Sequence, residues 1–298
     1  MTRLRGTLLT AAVPLLLISA CAQSPGNSAA GAPASRASSA SSSPDDLVLR
    51  VESVGGFVPA ERIVGRIPQV SIYADGRMIT EGPVPAIYPG PALPNIQQQM
   101  LSPAQVQELV AAAPAAGVRS GTDFGSPPIA DAPSTRVTVV SAGYGLQAVS
   151  VEALAEAQPD DPSLTPAQRD ARAKLGAFVK KVRDLPIAPG LPPSVAYRPT
   201  TVAALTRAYE APQGGVPASP AIAWSGPALP GAQLNPGADP SAGFGCVEVT
   251  GDQLTTVLAA AEKATRITPW TYGGKKWAVT FRPMLPDEAG CATLKGQR

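Results

Sequence analysis

Few side chains in this 298-residue sequence have the reactivity that catalysis needs, and histidine is absent. Without imidazole, the chain excludes Ser-His-Asp and Cys-His nucleophile systems and zinc sites with histidine ligands. The sequence also lacks the glycine-rich loops that bind phosphates and the Gly-x-Ser-x-Gly motif of a serine nucleophile. We therefore predict no metal, no cofactor and no catalytic residue, and we expect that the protein is not an enzyme.

Carboxylates are the strongest of the remaining candidates for chemistry. Five of them lie in or beside predicted turns: Asp75, Glu81, Asp123, Asp287 and Glu288. A glycan-cleaving enzyme needs two carboxyl groups at a fixed separation across a cleft, and sequence spacing does not establish that separation. Asp75 is also explained as a hairpin residue, and Asp287 and Glu288 as solvated loop residues. A carboxylate-dependent cell-wall glycan hydrolase stays an alternative function.

The first of the three cysteines directly follows an apolar run. The chain begins with the basic segment Met1–Arg5, and the apolar stretch Leu8–Ala20 is shorter than the roughly 20 residues of a membrane span. A basic start, a short apolar run and small residues at its end are typical of a secretory signal. Here Ile18-Ser19-Ala20 is followed by Cys21, which resembles the lipobox of bacterial lipoproteins. The alternative is an ordinary secretory signal with a chance cysteine.

The lipobox resemblance implies that residues 1–20 are a signal peptide removed before Cys21, whose thiol carries a diacylglyceryl group. Two or more acyl chains give a stable membrane anchor. Residues 21–46 are rich in Ser, Ala and Pro, so we predict a disordered tether with an average reach of roughly 25–30 Å. Residues 47–298 then form an extracytoplasmic domain, with two possible subdomains at about 47–160 and 161–298. The predicted location is the outer face of the cell membrane.

The two remaining cysteines, Cys246 and Cys291, lie in the C-terminal part of the chain. Outside the cytoplasm, two such cysteines form a disulfide more often than they stay free. We predict a Cys246–Cys291 disulfide, which adds at most about 4 kcal/mol in the chain-entropy description. Two free thiols are the alternative.

Three segments that could position these groups begin with the capping-box pattern Ser/Thr-x-x-Gln. The candidate N-caps are Ser102, Thr165 and Thr250. Pro follows the first two directly, at the helical position where its missing N–H costs nothing. Each segment continues with apolar residues three and four apart, so we predict three amphipathic helices, each packed on a sheet or another helix.

Three hairpins account for most of the predicted strands. The Asp75-Gly76 pair predicts a two-residue turn in which Tyr73 faces Met78, a second hairpin surrounds a Gly-rich turn near residue 144, and a third surrounds Gly273-Gly274. We expect further strands at 47–52, 202–209 and 246–249. Hairpins and isolated helices, without a regular βαβ series, predict an α+β fold: an antiparallel or mixed sheet with about three amphipathic helices packed on it.

The aromatic residues suggest one candidate binding surface. In the third hairpin Trp270 is expected to face Trp277, close to Tyr272. These three side chains form either a platform for a carbohydrate or peptide, or a core pair that covers a helix.

A short motif occurs twice, as YPGPALP at Tyr88–Pro94 and WSGPALP at Trp224–Pro230. Such Pro-rich stretches favour an extended backbone. They are either recognition surfaces or packed loops.

Four stretches, DLVLRVESVGGFVP, VSIYADGRMITEG, IYPGPALP and VTFRPMLPDEAGC, resemble a group of uncharacterised lipoproteins from high-GC Gram-positive bacteria. The resemblance extends over most of the mature chain and implies no activity. We predict a membrane-anchored extracytoplasmic lipoprotein with a non-enzymatic binding or envelope-assembly role. Its expected partners are the membrane, through Cys21, and an envelope protein or glycan. A net charge of +2 gives no reason to expect nucleic acid. A solute-binding protein of an importer is a second alternative, and it requires two lobes with parallel sheets.

Overall fold

The computed structural model of the protein describes residues 43–215, 217–234 and 243–295, and from Ser43 onward these residues form one compact unit. The predictions about Cys21, the signal peptide and the tether up to residue 42 lie outside them. The described residues contain two sheets and five α-helices, which confirms the predicted α+β class. The helices are α1 (Ala60–Val64), α2 (Pro103–Ala112), α3 (Pro166–Asp184), α4 (Gly251–Ala261) and α5 (Gly290–Lys295).

The first sheet has seven strands in the order β6-β5-β1-β2-β3-β4-β7, and all neighbouring strands are antiparallel. Its strands are β1 (Leu47–Val54), β2 (Val70–Tyr73), β3 (Arg77–Glu81), β4 (Ile96–Met100), β5 (Ser134–Ser141), β6 (Gly145–Glu152) and β7 (Val195–Ala196). The hairpin of β5 and β6 and the strand at β1 are confirmed. The sequence patterns missed β4 and β7, because neither segment has a clear alternation of apolar residues.

The register of the β2–β3 hairpin differs from the prediction by one residue. Ile72, and not Tyr73, pairs with Met78. The loop has three residues and not two, because Gly76 adopts a left-handed φ of 89° and its N–H donates to the Tyr73 carbonyl at 2.9 Å. This register places both Ile72 and Met78 in the core of the first sheet.

Helices α2 and α3 cover one face of the first sheet. Leu109 of α2 and Leu175 and Val182 of α3 pack into the same buried cluster as Leu49 of β1. The capping boxes predicted at the starts of these two helices are present. At the start of α3, for example, the Gln168 N–H donates to Thr165 Oγ1 at 3.2 Å. The predicted start and apolar face of both helices are therefore confirmed.

The second sheet has six strands in the order β10-β11-β8-β13-β12-β9, antiparallel except for the β9–β12 pair. Its strands are β8 (Thr201–Ala208), β9 (Ile222–Ala223), β10 (Ala232–Gln233), β11 (Gly245–Thr250), β12 (Trp270–Tyr272) and β13 (Lys275–Pro283). The predicted pairing of Trp270 with Trp277 is confirmed. Strand β8 is buried on both faces, because α4 lies over one face and α5 contacts the other.

The helix predicted after Thr250 forms, but without the predicted capping box. Thr250 is the N-cap residue of α4, yet its side chain accepts no capping hydrogen bond. Gly251, the next residue, has a φ of 57°, so the chain enters this helix by a different path from that of α2 and α3. The expectation that Gln253 completes a capping box was wrong.

The chain passes from the first sheet to the second at residues 197–200, after β7. Helix α3 packs in the core of the first sheet, so this passage lies later than the subdivision near residue 160 that the sequence suggested. Residues 284–289, which follow β13, return to the first sheet, where Leu285 packs against Tyr73, Ile79 and Ile96. The junction between the sheets is therefore built from two chain segments.

Candidate functional site

A cleft of about 500 Å³ opens at the junction of the two sheets. We call it the junction cleft. It is bounded by β3 and β4, by the 195–201 segment and by the loop after β13, and residues that line it are Asp45, Arg77, Gln98, Val195, Ala196, Tyr197, Arg198, Thr200, Thr201, Met284, Leu285, Pro286 and Glu288. This volume falls within the range of small-ligand sites in proteins.

A buried ion pair fixes one wall of the cleft. The Arg282 guanidinium and the Glu288 carboxylate are both fully buried and form two hydrogen bonds, of 2.7 and 2.8 Å. Glu288 also accepts from the Leu285 N–H at 2.8 Å, and Arg282 Nε donates to the Arg66 carbonyl at 3.0 Å. The pair closes the 284–289 loop and joins the second sheet to the segment that leads into β2.

The neighbouring residue Asp287 forms a second connection, toward the first sheet. Its Oδ1 accepts from Arg50 Nη2 and from the Tyr73 hydroxyl, each at 2.8 Å. Burial and then the charge of Asp287 raise the pKa of Tyr73 above its ordinary value. Tyr73 is therefore a neutral hydrogen-bond donor, and the charge of Asp287 is matched by Arg50.

Arg77 forms the opposite rim, where the chain enters the described domain. Its guanidinium contacts the carboxylates of Asp75 and Asp45 at 2.6 and 2.5 Å, and it lies 5.6 Å from the centre of the Tyr73 ring. Asp45 belongs to the last four residues of the predicted tether, which form a turn with Asp46 N–H donating to the Ser43 carbonyl. The first described residues of the chain thus lie beside the cleft, which Asp45 lines.

Tyr197 lies between the two walls and is also a donor. Its hydroxyl donates to the Met284 carbonyl at 2.9 Å, and burial raises the pKa of Tyr197 to about 12. Both phenols near the cleft therefore stay protonated at neutral pH. With the nearby carboxylates paired to arginines, this arrangement is suited to holding a ligand rather than to moving protons.

Three polar side chains of the cleft are available to a ligand. Gln98, Arg198 and Thr200 line the cleft and make no side-chain hydrogen bond or ion pair with another described residue. Part of the β7 backbone is available too. Because the Tyr197 N–H donates to the Ile96 carbonyl, the N–H and C=O groups of Ala196 point away from β4. Exposed Val195 adds an apolar contact.

The other predicted carboxylates lie away from the cleft. Glu81 is exposed at the end of β3. Asp123 accepts from the Gly125 N–H and from Gln168 Nε2, each at 2.9 Å, and these hydrogen bonds lower the pKa of Asp123. Asp123 therefore supports the entrance to α3, and the structure does not bring it together with Asp287.

The aromatic trio is divided between core and surface. Trp270 is buried, Trp277 is half-buried with its Nε1 donating to the Tyr272 carbonyl at 3.3 Å, and Tyr272 is exposed. Trp270 packs edge-on against Phe281, with ring centroids 5.4 Å apart. This arrangement corresponds to the core-pair alternative for Trp270, which is not accessible to a ligand.

The Cys246 and Cys291 sulfurs lie at disulfide distance, as predicted, and join β11 to α5. The Cys291 N–H donates to Glu248 Oε1 at 2.8 Å. Because α5 begins directly after the 284–289 loop, this disulfide supports the wall of the junction cleft. No sequence pattern predicted the Arg50–Asp287 contact, since 237 residues separate the two.

No family model matches the chain, and comparisons with curated proteins and with solved structures found no match. Among residues 43–295, leaving out the undescribed gaps, no group of three or more metal-ligating side chains is close enough to hold a metal ion. None of the described helices is both long and apolar enough to cross a membrane.

Proposed function

We propose that this protein is a lipoprotein, anchored through Cys21 on the outer face of the cell membrane, whose folded domain binds an envelope component without catalysing a reaction. The junction cleft is the proposed binding site. The observation that carries this proposal is the cleft itself. It has a ligand-sized volume and walls fixed by ion pairs. Gln98, Arg198 and Thr200 also line it with side chains that no other described residue engages in a hydrogen bond.

The disulfide supports the proposed compartment. Structural disulfides are common in secreted and envelope proteins and rare in the cytoplasm of mesophiles. The Cys246–Cys291 pair closes a long segment and stabilises the wall of the cleft. An exported domain that holds a preformed site fits a role in binding outside the cell.

The pairing of the acidic residues argues against the hydrolase alternative. A general acid and a nucleophile must both reach the substrate. Glu288 is fully buried in its pair with Arg282, and Asp287 is held by Arg50 and Tyr73. The sheets are antiparallel apart from β9–β12, which argues against an importer receptor of the parallel α/β type.

Membrane fractionation tests the anchor. We expect the wild-type chain in the membrane fraction and in the detergent phase after Triton X-114 partitioning, and a Cys21→Ala variant in the aqueous phase. Mass spectrometry of the purified N-terminus should find acylated Cys21. A Cys21→Ala variant that stays in the membrane fraction, or an unmodified leader on the natural product, would overturn the anchor.

Site-specific crosslinking tests the cleft. A photoreactive residue at position 195, on the edge of β7, should capture an envelope component that the same residue at position 187 does not capture. Both positions carry exposed apolar side chains, and residue 187 does not line the cleft. Equal capture from the two positions would remove the cleft from the proposal. Release of sugar fragments from purified cell wall, lost in Asp287→Asn, would instead support the hydrolase.

A further inference from the structure

Strands β6, β7, β9 and β10 form the edges of the two sheets, and β6 differs from the other three in length. Strands β7, β9 and β10 have two residues each, whereas β6 has eight, Gly145–Glu152. A long edge strand presents a row of backbone groups that can pair with another strand, and very short edge strands avoid this. Among the described strands, β6 is therefore the edge at which a further strand can add to a sheet.

The hydrogen-bond pattern shows which residues of β6 point their backbone groups outward. The Ala153 N–H donates to the Pro133 carbonyl at 3.0 Å, next to the Glu152–Ser134 pair of the β5–β6 register. In an antiparallel pair, residues that bond to the neighbouring strand alternate with residues whose N–H and C=O groups point away from it. The residues that point away from β5 are therefore Leu146, Ala148, Ser150 and Glu152.

Arg172 closes this row at one end. Its buried guanidinium donates to the Glu152 carbonyl at 2.7 Å and to the Ala153 carbonyl at 2.6 Å. The backbone groups of Leu146, Ala148 and Ser150 that point outward make no hydrogen bond with another described residue, and their side chains are exposed. We call residues 146–150 the open edge, and its midpoint is Ala148.

The open edge lacks the features that usually keep edge strands apart. Residues 137–151 contain no charged side chain and no proline. The register of β6 against β5 is continuous from Ser134–Glu152 to Ser141–Gly145, so no bulge twists the edge away. Leu146, at one end, leaves 67% of its apolar side chain exposed. A strand that adds here meets neither a charge nor a kink.

We propose that two copies of the domain pair through the open edge, as antiparallel strands related by a two-fold axis at Ala148. In this register Ala148 faces Ala148 of the second copy, and Leu146 faces Ser150. Each of these pairs exchanges two backbone hydrogen bonds, and the two seven-stranded sheets become one continuous sheet. Any other centre leaves at least one outward residue of the open edge without a partner from the open edge of the second copy.

The symmetry of the open edge favours a second copy over a foreign peptide. A peptide that adds to a sheet edge obtains its specificity from pockets for alternate side chains. A second copy needs no pocket, because it supplies the same uncharged row in the opposite direction. The junction cleft lies at β3, β4 and β7, toward the other edge of the first sheet, so pairing leaves the cleft open. The inference therefore depends neither on the cleft nor on the lipid anchor.

The charged residues around the open edge do not oppose this pairing. Arg136 of β5 lies beside Ser150, and its Nη1 is 3.6 Å from Glu52 Oε1. In the two-fold arrangement the two copies of Arg136 are about 20 Å apart, which exceeds the Debye length of about 8–10 Å. Arg119 is exposed on the loop whose Ser120 N–H donates to the Gln147 side chain, so solvent screens its charge. Because the contact uses one strand from each copy, we expect a weak dimer whose population rises with concentration.

Cysteine crosslinking tests the register with a chain of residues 22–298, which keeps the whole compact unit and lacks Cys21. The Cα atoms of a hydrogen-bonded antiparallel pair are about 5.5 Å apart, which is within the reach of a disulfide. Ala148→Cys should therefore give a disulfide-linked dimer under mild oxidation. A non-reducing gel measures its yield, and peptide mass spectrometry should find position 148 joined to position 148.

Ser150→Cys is the matched control, because Ser150 is exposed on the same face of the same strand. In the proposed register the two copies of residue 150 are about 14 Å apart, which is too far for a disulfide. We expect at least about 10-fold less crosslinked dimer than from Ala148→Cys. A mixture of Leu146→Cys and Ser150→Cys chains should crosslink again, since these two positions face each other.

Sedimentation equilibrium tests the association without crosslinking. The 22–298 chain should approach twice its monomer mass as its concentration rises. Ala148→Lys should weaken dimerisation at least about 10-fold, because two like charges then meet at the axis. An equimolar mixture of Ala148→Lys and Ala148→Glu should associate again. Ile187→Lys, at a position that is 85% exposed outside the open edge, should dimerise like the parent chain.

Three results would overturn the inference: a chain that stays monomeric at every concentration, equal crosslinking of Ala148→Cys and Ser150→Cys, or full dimerisation of Ala148→Lys. Binding of an extended peptide at the open edge by a monomeric chain would overturn it as well. Circular dichroism melting checks that each variant is folded. None of these measurements depends on acylation of Cys21 or on a ligand in the junction cleft.

Discussion

The two copies of the repeated motif, at Tyr88–Pro94 and Trp224–Pro230, share five residues of seven but differ in the environment of the first. Trp224 is 7% exposed, whereas Tyr88 is 73% exposed. Farther along each copy, Ala92 and Leu229 are buried in the same core cluster of the second sheet. The shared residues of both copies therefore pack on the core of the second sheet. The first, aromatic residue is buried in one copy and exposed in the other.

The difference arises from the residues that precede each copy. Strand β9 pairs with β12 directly before Trp224, so the indole is held above the core, with its centroid 5.7 Å from that of Trp270. Its Nε1 donates to the Pro227 carbonyl at 2.6 Å. Tyr88 follows a charge-free loop without strand pairing, which leaves its ring in solvent. The surroundings, and not the motif, decide whether the aromatic stabilises the fold or is available for binding.

Truncating the aromatic residue of each copy to Ala should give the largest difference in stability between the two copies. We expect Trp224→Ala to lower the free energy of unfolding by about 4 kcal/mol, since it removes a buried indole from a three-ring cluster. Tyr88→Ala should change the stability by less than about 0.5 kcal/mol. Urea denaturation followed by circular dichroism measures both. Similar losses for the two variants would mean that the Tyr88 loop is also part of the folded core.

The adjacent acids Asp287 and Glu288 extend the comparison to charged residues. Glu288→Gln should lower the free energy of unfolding by about 3 kcal/mol, because Arg282 keeps its charge in a fully buried place without a countercharge. Asp287→Asn should cost less, about 1–2 kcal/mol, because Asp287 is partly exposed. Chemical denaturation of both variants measures the difference. A larger loss for Asp287→Asn would contradict the assignment of the main structural role to the buried pair.

Two hairpin glycines with left-handed backbones offer the next contrast. Gly76 and Gly273 have φ values of 89° and 57°. A Cβ on Gly76 would overlap the Leu101 carbonyl oxygen, whereas no atom lies within 4 Å of a Cβ on Gly273. We expect Gly76→Ala to cost about 2 kcal/mol or more, and Gly273→Ala about 1 kcal/mol from backbone strain alone. Thermal unfolding of both variants checks the order, and equal losses would show that the Leu101 backbone moves aside.

Local patterns in the sequence predicted the elements well, because helix caps, hairpin turns and apolar spacing act over a few residues. The starts of α2 and α3 and the Trp270–Trp277 register were predicted in this way. The one-residue error in the predicted register of the β2–β3 hairpin arose because the prediction used only such local patterns. Two-residue and three-residue turns use the same residue types. The choice between them depends on the contact of Gly76 with Leu101, the residue after β4, which the prediction did not include.

The candidate site was less predictable, because its members are distant in the sequence. The sequence singled out Asp287 and Glu288 but gave no partner for either. Arg50 and Tyr73 lie in the first two strands, and their meeting with Asp287 depends on how the 284–289 loop returns across the junction. Cys246 and Cys291 could be paired by elimination, since the third cysteine had a separate explanation.

The smallest expected effect concerns two helix starts with the same pattern. Thr165 and Thr250 both precede a Gln by three residues, but only the Thr165 hydroxyl accepts a hydrogen bond from the backbone of its helix. Thr165→Ala should therefore lower the free energy of unfolding by about 1 kcal/mol. Thr250→Ala should change it by less than about 0.3 kcal/mol, because no capping bond is lost. Thr165→Ser should retain most of the stability, since a hydroxyl remains to accept from Gln168. Urea unfolding of the three variants measures these differences. If Thr250→Ala cost as much as Thr165→Ala, the interpretation would be contradicted. The loss at Thr165 would then reflect helix propensity or methyl packing instead of the capping hydrogen bond.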